Sequence, residues 1–327
     1  NLDIKYPFGE CNYKAKVWQN GDWKDHIKFI NGDIYQSLNV KLLDGNILNS
    51  VKFKLLLPET RNGSLNEVLA TVLMDNLGFI SPNTFEKKIT INERQQIVLF
   101  QEDIQKELLE KKKRREGPLF EGDETFYAQK GMLGKNNPYL SKLVNKNWLF
   151  KGENSKKIAL KSYALLQSNY LNKKHNNFND VLNNFGEKGN KYDDYKFYML
   201  AMNGSHGLIF HNQKHYFNVF LNTFEPIYYD GDVNLTRRIN LKDQSILNLI
   251  SDLPREFIPS NIERFNEREF LKKIENDFKS KLEFYDEERA EFFRKSIINL
   301  QTNFADIIDV IDKKEPKANS KIYSYKD

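Results

Sequence analysis

Between Glu225 and Asn234 the chain reads Glu-Pro-Ile-Tyr-Tyr-Asp-Gly-Asp-Val-Asn, an apolar strand running into two aspartates, Asp230 and Asp232, separated by one glycine. Hard divalent cations take carboxylate oxygens, and Mg²⁺ in particular is held by one or two of them together with phosphate oxygens. A strand that delivers aspartate to its own end therefore suits a Mg²⁺ (or Mn²⁺) ion carried on a phosphorylated ligand. Asp-Gly is also a favoured hairpin turn, so the tripeptide alone leaves both readings open.

Just upstream, His206, His211 and His215 crowd into ten residues, with Asn212 beside the second of them. A His-x-x-x-His pair enclosing a glutamate is absent and so is any His-x-His pair, which argues against a zinc or iron centre. Histidines hydrogen-bonded to loop backbone, or a histidine acting as a proton acceptor near neutral pH, fit better. Further back, Lys52 and Lys54 alternate onto one face of an apolar strand. Arg61 and Asn62 sit in a glycine-containing loop, and Glu67 lies three residues after Ser64, a capping-box spacing at a helix start.

These residues need elements to position them. Ile34 to Pro58 reads as a hairpin about Asp44-Gly45-Asn46. Leu65, Val68, Leu69, Val72, Leu73 and Leu77 recur at helical spacing, and Gly78 suits the helix end. Strands follow at Phe85 to Ile91 and Gln96 to Gln101, joined by a short polar turn. Lys106 to Glu116 is a charge run that reads as a solvated helix end, and Gly117 to Glu124 reads as an acidic loop. Lys156 to Leu171, Asn179 to Phe185 and Tyr192 to Met202 read as helices. Phe210 to Leu221 and Phe224 to Asp230 read as strand-like, with Tyr228 and Tyr229 packing a core. Beyond Leu241 the pattern is mainly helical, longest at Glu267 to Phe284 and Glu287 to Ile311.

The order of these elements and motifs resembles that of a protein kinase, and specifically the CotH family of atypical, spore-coat-type kinases. Leu65-Asn66-Glu67 through Leu77-Gly78-Phe79-Ile80-Ser81-Pro82 is similar to that family's helix motif. Ile91-Asn92-Glu93 through Val98-Leu99-Phe100-Gln101-Glu102-Asp103-Ile104 resembles its strand pair and hinge. His211-Asn212, the aromatic Tyr216-Phe217 and Glu225 to Asp230 resemble its metal-loop stretch. The resemblance covers roughly Asn46 to Asn234.

It implies an α+β, two-lobed, kinase-like fold: a β-rich small lobe and hinge over residues 1–103, and an α-rich lobe with catalytic and metal loops over 104–327. It implies ATP as substrate, Mg²⁺ as cofactor, and phosphoryl transfer to a protein or glycan hydroxyl. Lys54, with Lys52 as competitor, takes the place of the phosphate-contacting lysine and Glu67 that of its helix partner. Arg61 approaches the phosphates, Glu102 lies at the adenine hinge, and Asn212 (or Asn218 in a second register), Asp230 and Asp232 take the metal positions. The usual catalytic aspartate is missing, since Gly207 or Gln213 stands in its place. His206 and His211 flank that position as substitute proton acceptors. A nucleotide-binding interaction module without catalysis, and a nucleotidyltransferase on the same fold, remain alternatives.

Composition bounds the rest. The chain has 327 residues, 39% hydrophobic with 24 Phe, enough for a substantial core. A net charge of +5, spread along the chain, is compatible with phosphate ligands or acidic partners but too weak to point to nucleic acid. One cysteine, Cys11, allows neither an internal disulfide nor a thiolate metal cluster. No run approaches the ~18 apolar residues of a membrane span. The chain begins at Asn1 rather than Met, which reads as trimmed and is compatible with an exported form. A lysine-rich tail follows Lys313.

Overall fold

The structure, a computed structural model, describes residues 2–21, 26–30, 32–123, 140–172 and 191–313. In chain order its strands are β1 (Leu2–Tyr6), β2 (Gly9–Tyr13), β3 (Ala15–Gln19), β4 (Ile27–Ile30), β5 (Asp33–Gln36), β6 (Leu38–Leu42), β7 (Lys52–Leu56), β8 (Thr84–Ile91), β9 (Arg94–Glu102), β10 (Leu119–Gly122), β11 (Ser141–Leu143), β12 (Lys214–Asn218) and β13 (Thr223–Ile227). The α-helices are α1 (Ser64–Asn76), α2 (Lys106–Lys111), α3 (Glu153–Asn172), α4 (Lys191–Ala201), α5 (Gln244–Ser251), α6 (Arg268–Lys279) and α7 (Glu287–Asp312). The chain is thus mixed α and β, with antiparallel sheets.

A five-stranded antiparallel sheet runs in the order β3-β6-β7-β9-β8. β7 and β9 are neighbours in this sheet, with Lys54 opposite Gln101 and Phe53 opposite Glu102. The β8–β9 hairpin turns on Asn92 and Glu93, both at positive φ (49° and 68°), the geometry of a tight hairpin turn. The β6–β7 connection is longer than the expected turn at Asp44-Gly45-Asn46. It runs through a small loop closed by Ile47 and Ser50, with Leu48 and Asn49 left-handed.

One face of this sheet is apolar: Val40, Phe53, Leu55, Val98 and Phe100 form a core roofed by Leu2, Ile4 and Tyr13 of the β1–β2 hairpin. The other face meets α1. Val68, Leu69, Ala70, Val72, Leu73 and Met74 are all 5% exposed or less, so the helix is buried on every side rather than along one stripe. It lies between β8 and the helices α6 and α7. Burying side chains of this size contributes roughly 1.5–3 kcal/mol each, which makes α1 the anchor of the largest core.

Beyond residue 103 the chain carries more strand than its pattern predicts. The expected acidic loop at Gly117 to Glu124 holds β10, part of a second sheet of order β11-β10-β12-β13. Leu119 and Phe120 are fully buried there, and Glu121 is flanked by lysines. The charge run after Lys106 is likewise not simply solvated. Leu108 and Leu109 are buried, and Arg114 pairs with Glu225. The helix expected at Asn179 to Phe185 and the lysine-rich tail lie outside the described residues. Among the described residues no helix is long and apolar enough to cross a membrane.

Candidate functional site

The capping box expected at Ser64 and Glu67 is replaced by a different arrangement. Ser64 is already the first helical residue, Gly63 precedes it at φ 88°, and Ser64 Oγ donates to Glu86. Glu67 turns inward and is fully buried. Its carboxylate accepts from Gln101 Nε2 at 2.8 Å and from the Tyr228 hydroxyl at 2.8 Å. Burial pushes the Glu67 pKa up, with the positive charge of Arg61 opposing it.

Arg61, in the loop before α1, is buried and forms a 3.0 Å ion pair with Asp230 Oδ1. Its Nε has no hydrogen-bond partner. The loop and the first turn of α1 are each tied to the Asp230 segment once more: Asn62 Nδ2 donates to the Asp232 carbonyl at 2.9 Å, and Leu235 N–H donates to Asn66 Oδ1 at 2.9 Å. Asp230 and Asp232 both adopt left-handed backbone, φ 46° and 47°. Between them a Cβ on Gly231 would lie 2.9 Å from Val233 Cγ1 and 3.2 Å from the Tyr228 hydroxyl, so the turn is closely packed.

Lys54 joins the same place from the sheet. Its Nζ donates to the Tyr229 hydroxyl at 3.0 Å, bringing strand β7 to the residue next to Asp230. Burial works to lower the Lys54 pKa, but Tyr229 and Asp103 outweigh it and hold it above its ordinary value. Lys214 lies 4.2 Å over the Tyr229 ring and also pairs with Glu121. Burial works to raise the Tyr229 phenol, and the cations Lys54, Lys214 and Arg61 overcome it, leaving the pKa lowered. Lys54 and Glu67 are therefore not direct partners: Lys54 bonds Tyr229, while Glu67 bonds the preceding Tyr228. Lys52, the competing lysine, is held by Asp103 at 2.6 Å.

The histidine segment packs onto this turn. Gly207 lies in the 3-10 turn Ser205–Leu208, and a Cβ there would meet Met199 Cε at 2.7 Å, Gly231 Cα at 3.1 Å and the Tyr229 carbonyl at 3.1 Å. A Cβ at this position would therefore require the Met199 methyl to move and the backbone of Gly231 and Tyr229 to give by a few tenths of an ångström. Asn212 is buried, and its Nδ2 donates to the His206 carbonyl at 3.0 Å, which closes the segment into a loop. The His206 side chain is exposed, whereas His211 is half-buried against Phe210, ring centroids 5.5 Å apart. Asn218, the alternative metal asparagine, is engaged elsewhere. Its amide donates to Glu225 at 3.0 Å and accepts from the N–H groups of Phe220 and Leu221 at 3.2 Å each.

The Glu102 side chain is not brought to this cluster. Strand alternation puts Gln101 and Asp103 on the Lys54 side and turns Glu102 to the Phe53 side. There it accepts from Lys111 (2.6 Å), Ser50 (3.1 Å) and the Asn83 N–H (3.2 Å). The residues that sequence reasoning missed are Gln101, Asp103, Lys214 and the two tyrosines, which read as core packing. Tyr228 is buried as expected, yet its hydroxyl is a partner of Glu67. Gln101 was findable from its place opposite Lys54, once β7 and β9 are paired.

The cluster thus combines a buried cation, Arg61, a half-buried one, Lys54, a partly exposed carboxylate and a tight glycine-lined turn. Asp230 is 23% exposed at its side chain; its carboxylate and the amide oxygen of Asn212 are both hard oxygen donors. Among the described residues no group of three or more histidine, cysteine or acidic side chains gathers into an all-protein metal cage. One carboxylate and one amide oxygen fit a cation whose remaining ligands come from phosphate and water. Compared with known proteins, the chain matches no protein-family model and no curated protein.

Proposed function

We propose that the chain is a nucleotide-binding phosphotransferase with a two-lobed, kinase-like fold of the CotH type, using ATP and Mg²⁺ and acting on a protein or glycan hydroxyl. The observation that carries this reading is the 3.0 Å bond from Lys54 to Tyr229, beside Asp230. A sheet lysine, the helix carrying Glu67 and a post-strand aspartate converge there, as a phosphoryl-transfer site requires. Phosphoryl transfer is mostly positioning and charge stabilisation, and the chain supplies groups for both. Lys54 and Arg61 contact phosphate oxygens; Glu67, through Tyr228, fixes α1 against the Asp230 turn. Asp230 and Asn212 would hold the cation, which when bound neutralises charge on the phosphates. Asp232 is exposed and lies at the rim of the same turn. His206, at the surface of the adjoining loop, orients or deprotonates the acceptor.

A second reading draws on Gly207. Gly207 carries no side chain to accept a proton and is packed closely against Met199, Gly231 and Tyr229, which favours nucleotide binding without protein phosphorylation, or nucleotidyl transfer. Product analysis separates the readings. Transfer of label from γ-labelled ATP to an acceptor supports phosphotransfer, and transfer from α-labelled ATP supports nucleotidyl transfer. Thermal stabilisation by ATP and Mg²⁺ without either product supports a binding module. No stabilisation at millimolar nucleotide overturns all three.

A further inference from the structure

Strand β3 is an edge of the five-stranded sheet, and among the described residues nothing pairs with its outer side. Its register with β6 places Lys16 opposite Lys41 and Trp18 opposite Asn39. Leu43 N–H donates to the Lys14 carbonyl and Asn20 N–H to the Ser37 carbonyl, both at 2.8 Å. Antiparallel alternation then turns the N–H and C=O of Lys16 and Trp18 toward β6, and those of Ala15 and Val17 outward, while the Gln19 carbonyl accepts from Asn39 Nδ2 at 3.2 Å. Val17 is 53% exposed and Trp18 43%.

The side chains at this edge are charged in one sense. Cross-strand pairing lines Lys16, Lys41 and Lys52 in one row on the Lys54 side of the sheet, with Trp18 and Asn39 in the next. Lys52 is paired with Asp103, but Lys16 and Lys41 are exposed and have no ion-pair partner among the described residues. An unpaired backbone edge recognises an extended chain, whose alternate side chains fall on the two faces of the sheet. On one face an added strand would meet two lysines and an indole; on the other it would meet Val17.

We propose that the outer edge of β3 docks an extended segment of another protein in which acidic residues alternate with aliphatic ones. The outward N–H and C=O groups of Val17 extend the ladder, Lys16 and Lys41 meet the carboxylates, and Val17 meets the aliphatic positions. A nucleic acid would use the lysines but not the backbone edge. Lysines on an edge strand also serve to keep strands apart, and that role predicts no binding at all.

The experiment is fluorescence anisotropy with a labelled peptide of alternating Glu and Val, at low and at physiological salt. Saturable binding is expected, weakened by salt and by at least about tenfold in the Lys16→Glu/Lys41→Glu double variant. The same peptide N-methylated at alternate residues should lose binding to the wild-type chain, which tests the ladder without altering the fold. Val17→Pro should act likewise, since it removes an outward N–H and leaves the β6 ladder intact. Three results would each overturn the proposal: no binding of the acidic peptide, equal binding of the N-methylated form, or tighter binding of an oligothymidylate than of the peptide.

Discussion

Arg61 and Asp230 meet at 3.0 Å although 169 residues separate them, and the pair lies where the loop before α1 crosses the turn after β13. The candidate cation ligand is therefore also the counter-ion of a buried guanidinium. Removing one partner of a buried pair strands the other charge.

Asp230 is accordingly tested with asparagine rather than alanine. Asp230→Ala leaves Arg61 unpaired and is expected to destabilise, by up to about 3–5 kcal/mol for a fully buried pair and less here because the carboxylate is 23% exposed. Asp230→Asn keeps an acceptor for Arg61 but loses the charge that holds a divalent cation. In a thermal-shift titration it should melt near wild type without ligand and show no Mg²⁺-dependent stabilisation by ATP. Stabilisation equal to wild type would remove Asp230 from the metal site.

Tyr229 occupies the Lys54 ammonium through its hydroxyl. If Lys54 contacts phosphate, the phenol competes for that donor. Tyr229→Phe should cost about 0.5–1.5 kcal/mol in the unliganded protein and tighten ATP binding measured by calorimetry. Lys54→Met should abolish the binding. Weaker ATP binding in Tyr229→Phe would mean that the tyrosine helps hold the ligand.

Much of the framework was legible because its signals are local. The apolar repeat from Leu65 to Leu77 is α1, and the two runs around Asn92-Glu93 are β8 and β9. β10 escaped because four residues bounded by Gly117 and Gly122 carry too short a pattern, and its buried Leu119 and Phe120 are interpretable only once β12 lies alongside. In the site, Lys54, Arg61, Glu67 and Asp230 were recognised as residue types, and the structure gathers them. Their actual partners were not visible, since they depend on sheet register. Lys54 faces Gln101 and Asp103, and the two tyrosines reach opposite members of what motif order alone would pair directly. Glu102 is one residue out of phase with Lys54, so its side chain turns to the other face of the sheet.

His206 is the test of proton transfer. Its side chain is exposed while its carbonyl holds Asn212. His206→Ala keeps that backbone bond, so turnover should fall by roughly 10²-fold with nucleotide affinity unchanged. His211→Ala should match it only if His211 shares the role. A parallel loss of ATP binding would instead show that the segment supports the metal loop.

His215 should be a liability in acid. It is 1% exposed at the centre of β12, and neither ring nitrogen has a hydrogen-bond partner. Burial lowers its pKa from 6.5 to about 4. The folded state therefore takes up its proton later than the unfolded chain. Its effect on stability is nil above pH 6.5 and grows as pH falls from there to about 4, reaching about 3 kcal/mol. His215→Leu removes the orphaned nitrogens, and urea unfolding should find the variant at least as stable as wild type at pH 7.5 and more stable at pH 5. An unchanged difference across those two pH values would show that the imidazole is solvated.

Glu225 should govern a lower pH window. Burial works to raise its pKa, but hydrogen bonds and charge from Arg114 (2.7 Å), Lys191 (2.5 Å) and Asn218 (3.0 Å) outweigh it and bring it from 4.5 to about 2. A depressed carboxylate contributes stability that is complete above its unfolded pKa and is lost as pH falls through the folded one. The contribution, about 3 kcal/mol, should therefore hold above pH 4.5 and disappear by pH 2. Because Glu225 joins β13 to the segment after α2, to the start of α4 and to the β12–β13 turn, its loss should loosen the second sheet before the first. Glu225→Gln should unfold at lower urea than wild type at pH 7, and the two curves should converge as the pH approaches 2. Hydrogen exchange should show the effect first in β12 and β13. A constant gap between the variants down to pH 2 would mean that Glu225 stabilises the fold by packing and not by its charge.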